Sequence, residues 1–167
     1  MPPVPATEFE KVIAAHWASV SRLALRMTSD RGDAEEITQQ TFFLAYRAWP
    51  TFEERSKVIT WLFRIAINCV KQHMLKQRRE RAVPLDEAPP ITTRDLDPIE
   101  SRESLEQLDA AMQAISPKHR MVLTLFCLDG LDHEAIAEIL GCPLGTVWSR
   151  LHNARAALAR QMQPEAE

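Results

Sequence analysis

Two stretches of this chain hold residue types at spacings that could do chemistry, and in both the chemistry is the gripping of nucleic acid. The first runs from Asp132 to Ala157 and reads DHEAIAEILGCPLGTVWSRLHNARAA. Ala137, Gly141 and Val147 stand at offsets of four and six, the spacing of two short helices folded across a tight turn. A small residue at Ala137 lets the second helix cross closely, and Gly141 can take the positive φ that the turn demands. Pro143 suits the first turn of the next helix, where its missing N–H costs nothing. A unit of this kind presents its second helix to the major groove of DNA.

Separating the faces of that second helix at about 100° per residue gives one apolar stripe, Val147, Leu151, Ala154 and Leu158. Gly145, Ser149 and His152 point the other way, with Trp148 and Asn153 on the shoulders. Arg150, Arg155 and Arg160 add positive charge, and no acid occurs between Leu140 and Met162. The preceding helix carries Asp132, Glu134 and Glu138, so anions are kept off the helix that would approach phosphates. A merely solvated amphipathic helix would explain neither the Gly turn nor this sorting.

The second stretch is Val58 to Arg81. Val58, Ile59, Trp61, Leu62, Phe63, Ile65, Ala66 and Ile67 make its start apolar nearly all round. Its end carries Lys71, His73, Lys76, Arg78, Arg79 and Arg81 against the single acid Glu80. Cations for phosphates and rings for unstacked bases are what a protein needs to hold opened DNA. Asn68, an amide in an otherwise apolar run, is expected to need a hydrogen-bonding partner. Cys69 and His73 sit at i, i+4, a spacing that can share a metal, but further ligands at sensible spacing are absent. No Gly-rich phosphate loop or nucleophile motif occurs either. The expectation is a protein without catalytic residues, metal or cofactor, and not an enzyme.

Elements must position these residues. In 167 residues with 46% hydrophobic content there are only four Gly, and apolar residues recur at i, i+3, i+4, which predicts an all-α fold. Ala82 to Pro98 holds Pro84, Pro89, Pro90 and Pro98 with Asp86, Glu87, Asp95 and Asp97, and reads as a flexible, extended linker. It divides two small helical domains, 1–81 and 99–167, with 82–98 between them. Helices are predicted from Glu8 to Thr28, from a cap at Asp33 to Trp49, and over Val58 to Arg81. In the second half they run from Pro98 to Ile115, Pro117 to Leu128 (with Ser116 as cap), Asp132 to Leu140 and Pro143 to Gln161. Cys69, Cys127 and Cys142 lack disulfide-framework spacing, and neither a signal peptide nor a membrane-length apolar run is present, so a cytoplasmic location without membrane insertion is expected. The net charge of −3 is low for an unaided DNA binder, which points to local basic patches or to a partner that supplies DNA affinity.

Four blocks in this order resemble the extracytoplasmic-function (ECF) group of bacterial RNA polymerase sigma factors, of the RpoE-like kind. Asp33 to Phe42 (DAEEITQQTF) is similar to their polymerase-binding helix, and Thr60 to Asn68 (TWLFRIAIN) to their promoter-melting segment. Ile115 to Leu123 (ISPKHRMVL) resembles the opening of sigma domain 4, and Gly141 to Leu158 its recognition helix. The resemblance implies sigma domain 2 over 1–81 and sigma domain 4 over 99–167. It implies that Asp33, Glu36, Gln39, Gln40 and Phe43 dock on core polymerase, whose beta and beta-prime subunits are the expected partners. Phe52, Lys57, Trp61, Asn68, Lys71, Lys76, Arg78 and Arg79 are implied for the minus-ten DNA. Thr146, Trp148, Ser149, Arg150, His152, Asn153 and Arg155 are implied for the minus-thirty-five DNA. Many relatives carry Arg or Lys where Trp148 and Asn153 stand, so the promoter sequence is this chain's own. A membrane-anchored anti-sigma factor is a further implied partner, with a stress response as the setting. A sigma mimic that only sequesters an anti-sigma factor is the rival reading, and the acid-free helix and Asn68 favour a true initiation factor.

Overall fold

The computed structural model describes residues 6–81 and 99–163, so the 82–98 linker lies outside the described residues. Among the described residues every regular element is helical, in keeping with the all-α expectation. The first half is a bundle of α1 (Ala6–Thr28), α2 (Arg31–Ala48) and α3 (Val58–Arg81), with a 3-10 turn at Trp49–Thr51. The second half holds α4 (Ile99–Ala114), α5 (Pro117–Leu123), a π turn (Thr124–Leu128), α6 (His133–Leu140) and α7 (Leu144–Met162).

The periodic apolar positions fill one continuous core. Val20, Leu23, Ala24 and Met27 of α1 meet Ala34, Ile37, Phe42 and Ala45 of α2 and Leu62, Phe63, Ala66, Ile67 and Val70 of α3. Thr38 and Thr41 are fully buried within α2, where each hydroxyl donates to the carbonyl one turn back, Ala34 O and Ile37 O, both at 2.7 Å. Those bonds satisfy polar groups that burial would otherwise leave stranded. In the second half Val122, Leu125, Ile136, Ile139, Val147, Leu151 and Ala154 close around the turn at Gly141, which has φ +62° as the sequence required. Asp132 caps α6 by accepting from Ala135 N at 2.8 Å, and Ser116 caps α5 by accepting from His119 N at 3.4 Å.

Two local expectations are corrected. The cap of α2 is Asp30, whose carboxylate accepts from Asp33 N at 2.8 Å, and not Asp33 itself. Asp33 lies a turn inside, so its own carboxylate is released to face α3. The helix expected to Leu128 keeps α geometry only to Leu123 and then widens, with Asp129 N donating to Thr124 O at 3.1 Å. Gly130, at φ +64°, then turns the chain towards α6.

The halves are joined where α1 ends. The Arg120 guanidinium is 7% exposed and donates to main-chain carbonyls only: Met112 O at 2.9 Å, Gln113 O at 3.1 Å, Ile115 O at 3.3 Å and, across the domains, Met27 O at 3.1 Å. It thus caps the carbonyl ends of α4 and α1 together, where the helix dipoles favour a cation. Burial pulls its pKa down, opposed by the charge of Asp109. Beside it Arg26 pairs with Asp129 at 3.3 Å, and Gln113 Nε2 donates to Ser29 Oγ and to Arg26 O. Burial also raises the Asp129 carboxyl, against the opposing pull of Arg26 and Arg22. Elsewhere α3 packs against α6.

Replacing Arg120 with Met keeps most of the volume and takes the Arg120 donors from four main-chain carbonyls, two of them in buried bonds. We expect a loss of about 2–4 kcal/mol in urea unfolding. A change within about 0.5 kcal/mol, the range of an ordinary surface substitution, would show that these bonds do not hold the chain together.

Candidate functional site

The exposed side of α3 carries Arg64, Asn68, Lys71, Leu75, Arg78 and Arg79, residues three or four apart and hence on one stripe. Asn68 is exposed, so water satisfies its amide; the partner expected from its apolar sequence context is not needed, because Ile67 and Cys69 beside it are the buried ones. Lys76 is exposed on the flank and Lys57 just ahead of the helix. Trp61 is only 8% exposed and tilts against Phe52 at 4.7 Å, while Phe52 stacks on Trp49 at 5.4 Å. These rings form a ledge at the start of α3: half-buried Phe52 can offer a face, whereas Trp61 braces from below.

On α7 the predicted division of faces holds. Val147, Leu151 and Ala154 are buried, while Trp148, Ser149, His152, Asn153 and Arg155 are exposed and Thr146 and Arg150 half-buried. Ser149 Oγ donates to Thr146 O at 3.1 Å, which leaves the hydroxyl oxygen's lone pairs outward. The Arg150 guanidinium lies 4.0 Å from Cys142 Sγ in the turn. Trp148, 58% exposed, meets His133 edge-on at 6.2 Å; His133 stacks on Phe126 at 5.1 Å, and the Arg155 guanidinium sits 5.2 Å over that same ring. Trp148 and Arg155 of α7 are therefore braced by one aromatic column.

On α2, Glu36, Gln39, Gln40 and Phe43 are exposed and Asp33 is half-buried. Phe43 is 55% exposed with the Arg47 guanidinium 5.8 Å above its ring, and it borders an apolar groove formed with Phe9, Ile13, Phe42 and Tyr46. Asp33 Oδ2 lies 3.0 Å from His73 Nε2 of α3. The sequence pairing of Cys69 with His73 is not what forms. Burial raises the Cys69 thiol, which interacts with Thr41, while His73 turns to Asp33.

The sequence analysis gives Arg64 and His133 no site role of their own, although Arg64 stands inside the TWLFRIAIN block. A lone cation four residues before Asn68 was a usable signal for Arg64. Nothing local signalled Phe126 and His133, because their meeting depends on the π turn.

Comparison with known proteins settles what these faces belong to. Residues 12–80 match sigma-70 region 2, and residues 105–158 match sigma-70, region 4. The ECF RNA polymerase sigma-E factor of Escherichia coli is 33% identical over 93% of this chain and 87% of its own. The chain belongs to the ECF sigma factors. The RNA polymerase sigma-H factor of Pseudomonas aeruginosa is 30% identical over 93% of this chain and 86% of its own. Among solved structures, the sigma factor RpoE in complex with the anti-sigma factor NepR from Bartonella quintana shares the fold, with a TM-score of 0.78 at 24% identity over 96% of this chain and all of that one. ECF sigma factors are transcription regulators that act at initiation.

Asn153→Ala is expected to relax promoter preference at one or two base pairs, by about 1–3 kcal/mol each, in a randomised minus-thirty-five library. Arg155→Ala should instead weaken all sequences alike. An unchanged preference profile for Asn153→Ala removes that residue from the reading set.

Proposed function

We propose that this sigma factor docks on the beta and beta-prime subunits of core RNA polymerase through the exposed face of α2, opens the minus-ten element with α3 and reads the minus-thirty-five element with α7. Residues 1–81 then act as sigma domain 2 and 99–167 as sigma domain 4, tethered by 82–98, in the cytoplasm. The observation that carries this reading is the placement of charge. Cations lie along the exposed stripe of α3 and on α7, and carboxylates with a projecting Phe43 lie on α2. A cationic stripe suits phosphates, while acids around an apolar centre suit a basic protein partner.

Opening a promoter needs a place for an extruded base, which costs a few kcal/mol to unstack. The half-buried Phe52 ring and the exposed Asn68 amide with Lys71 one turn on supply a stacking face, an edge-reading group and a phosphate contact. On α7, Ser149, His152 and Asn153 are placed to read base edges, and Arg150 and Arg155 to meet phosphate, with Trp148 packing at the groove edge.

An anti-sigma factor holding the chain inactive is part of this reading, supported by the shared fold with a sigma factor solved in complex with one. Its anchoring in the membrane follows from the family resemblance. The sigma-mimic alternative loses ground because the curated relatives at 30–33% identity are themselves sigma factors.

Docking is tested by Glu36→Lys combined with Phe43→Ala; Asp33 is left intact because its carboxylate is committed to α3. Association with core polymerase should fall at least about tenfold, the loss of one interface anchor and one complementary charge. Unchanged holoenzyme affinity removes α2 as the docking face. For opening, Asn68→Ala should slow the rise of 2-aminopurine fluorescence at the melted position while closed-complex binding stays near the parent's. Equal opening rates would defeat the assignment of Asn68.

A further inference from the structure

Between α2 and α3, three side-chain atoms converge on one point. Asp33 Oδ2, His73 Nε2 and the Gln77 amide nitrogen lie 3.0 Å from one another in every pairing. No assignment of protons satisfies such a triangle when the carboxylate is ionised. If Gln77 donates to His73 Nε2, that nitrogen carries a lone pair and faces the carboxylate oxygen as a second acceptor. If His73 Nε2 donates to Asp33 instead, it meets the Gln77 amide N–H donor to donor. Turning the amide over, which exchanges groups of nearly equal size, directs three lone pairs inward at once. A cation at the centre satisfies all three.

The dimensions fit. Metal bonds of about 2.1 Å to imidazole nitrogen and to oxygen place adjacent ligands of an octahedron about 3.0 Å apart. A carboxylate oxygen of Glu36 approaches within 4.8 Å of those of Asp33 and His73 and can close a fourth position. Glu36 and His73 border an open cleft of about 190 Å³, which gives an ion and its waters a way in. Lys76 borders the same cleft and is exposed, so its ammonium can stay in water.

We propose that Asp33, His73 and the Gln77 carbonyl oxygen, with Glu36, form a site for a divalent first-row transition ion, and that the ion competes with core polymerase for α2. One imidazole with oxygen donors suits zinc and its neighbours rather than calcium or magnesium. The ion neutralises Asp33 and draws Glu36 inward, away from a docking partner. The competition rests on the docking face proposed above; the site does not.

Zinc is the probe, titrated calorimetrically into the full chain carrying Cys127→Ser and Cys142→Ser, which removes the two thiols outside the core. One equivalent should bind, and His73→Ala and Gln77→Leu should each weaken it by at least about tenfold. Asp33→Asn, nearly identical in shape, serves where circular dichroism shows either variant misfolded, and should weaken zinc similarly. Absence of saturable binding, or parent affinity in these variants, overturns the site. Zinc should also lower association with core polymerase in the parent background and leave the His73→Ala chain unaffected. Equal association with and without zinc, alongside intact zinc binding, overturns the competition. A failed docking face shows itself separately, in unchanged affinity of Glu36→Lys/Phe43→Ala without metal.

Discussion

The buried guanidinium of Arg120 is the contact on which the described arrangement depends. A helix ends with carbonyls that its own backbone cannot satisfy, and α1 and α4 both end in the interior between the two halves. One side chain with five donors in a planar fork can make all four bonds to these two ends at once, more than the three donors of an ammonium or the one of a hydroxyl allow. Its hydrogen-bond acceptors are neutral carbonyls, so the positive charge is met directly by dipoles, with the charge of Asp109 adding to them. Arg26, Asp129 and Gln113 gather around the same point. The contact between halves is therefore polar and directional at this corner, while α3 packs against α6 elsewhere.

That polar corner matters for a factor whose two helices proposed to face DNA belong to different halves. Polar contacts exchange for water at modest net cost, whereas a wide apolar interface does not. Burial that raises the Asp129 carboxyl, with one oxygen lacking a hydrogen-bond partner among the described residues, offsets part of what its pairing with Arg26 contributes to this contact. The covalent tether over 82–98 keeps the halves near one another whatever their arrangement.

The helices and their inner faces were legible in the sequence because amphipathic period and cap chemistry are local. Ser116 and Gly141 do in the structure what their types announced. Asp33 did not, because Asp30 three residues earlier is an equally good cap and takes the position. Freed from capping, Asp33 finds His73 and Gln77, forty or more residues away, a meeting that no local pattern can reveal. The end of α5 was missed for a similar reason: the π turn serves Gly130 and the approach to α6. Asn68, an amide among apolar neighbours in sequence, stands on the exposed stripe of α3 together with Arg64, because its immediate neighbours Ile67 and Cys69 turn inward.

Charge explains why a chain of net −3 can offer surfaces suited to DNA. At physiological salt a charge acts over about 8 Å, so a phosphate responds to the side chains beside it and hardly to the molecular total. Within α7 no acid follows Leu144 before Gln163, and in α3 only Glu80 interrupts the cations. Most of the acids lie elsewhere, on α1, α2, α4 and α6, in the loop before α3 and in the 82–98 sequence. An excess of negative charge also discourages indiscriminate binding along duplex DNA, since weak non-specific attraction scales with the number of phosphates neutralised. Two short cationic stripes then suffice only when a larger assembly holds the DNA against them, which is the condition under which a sigma factor works.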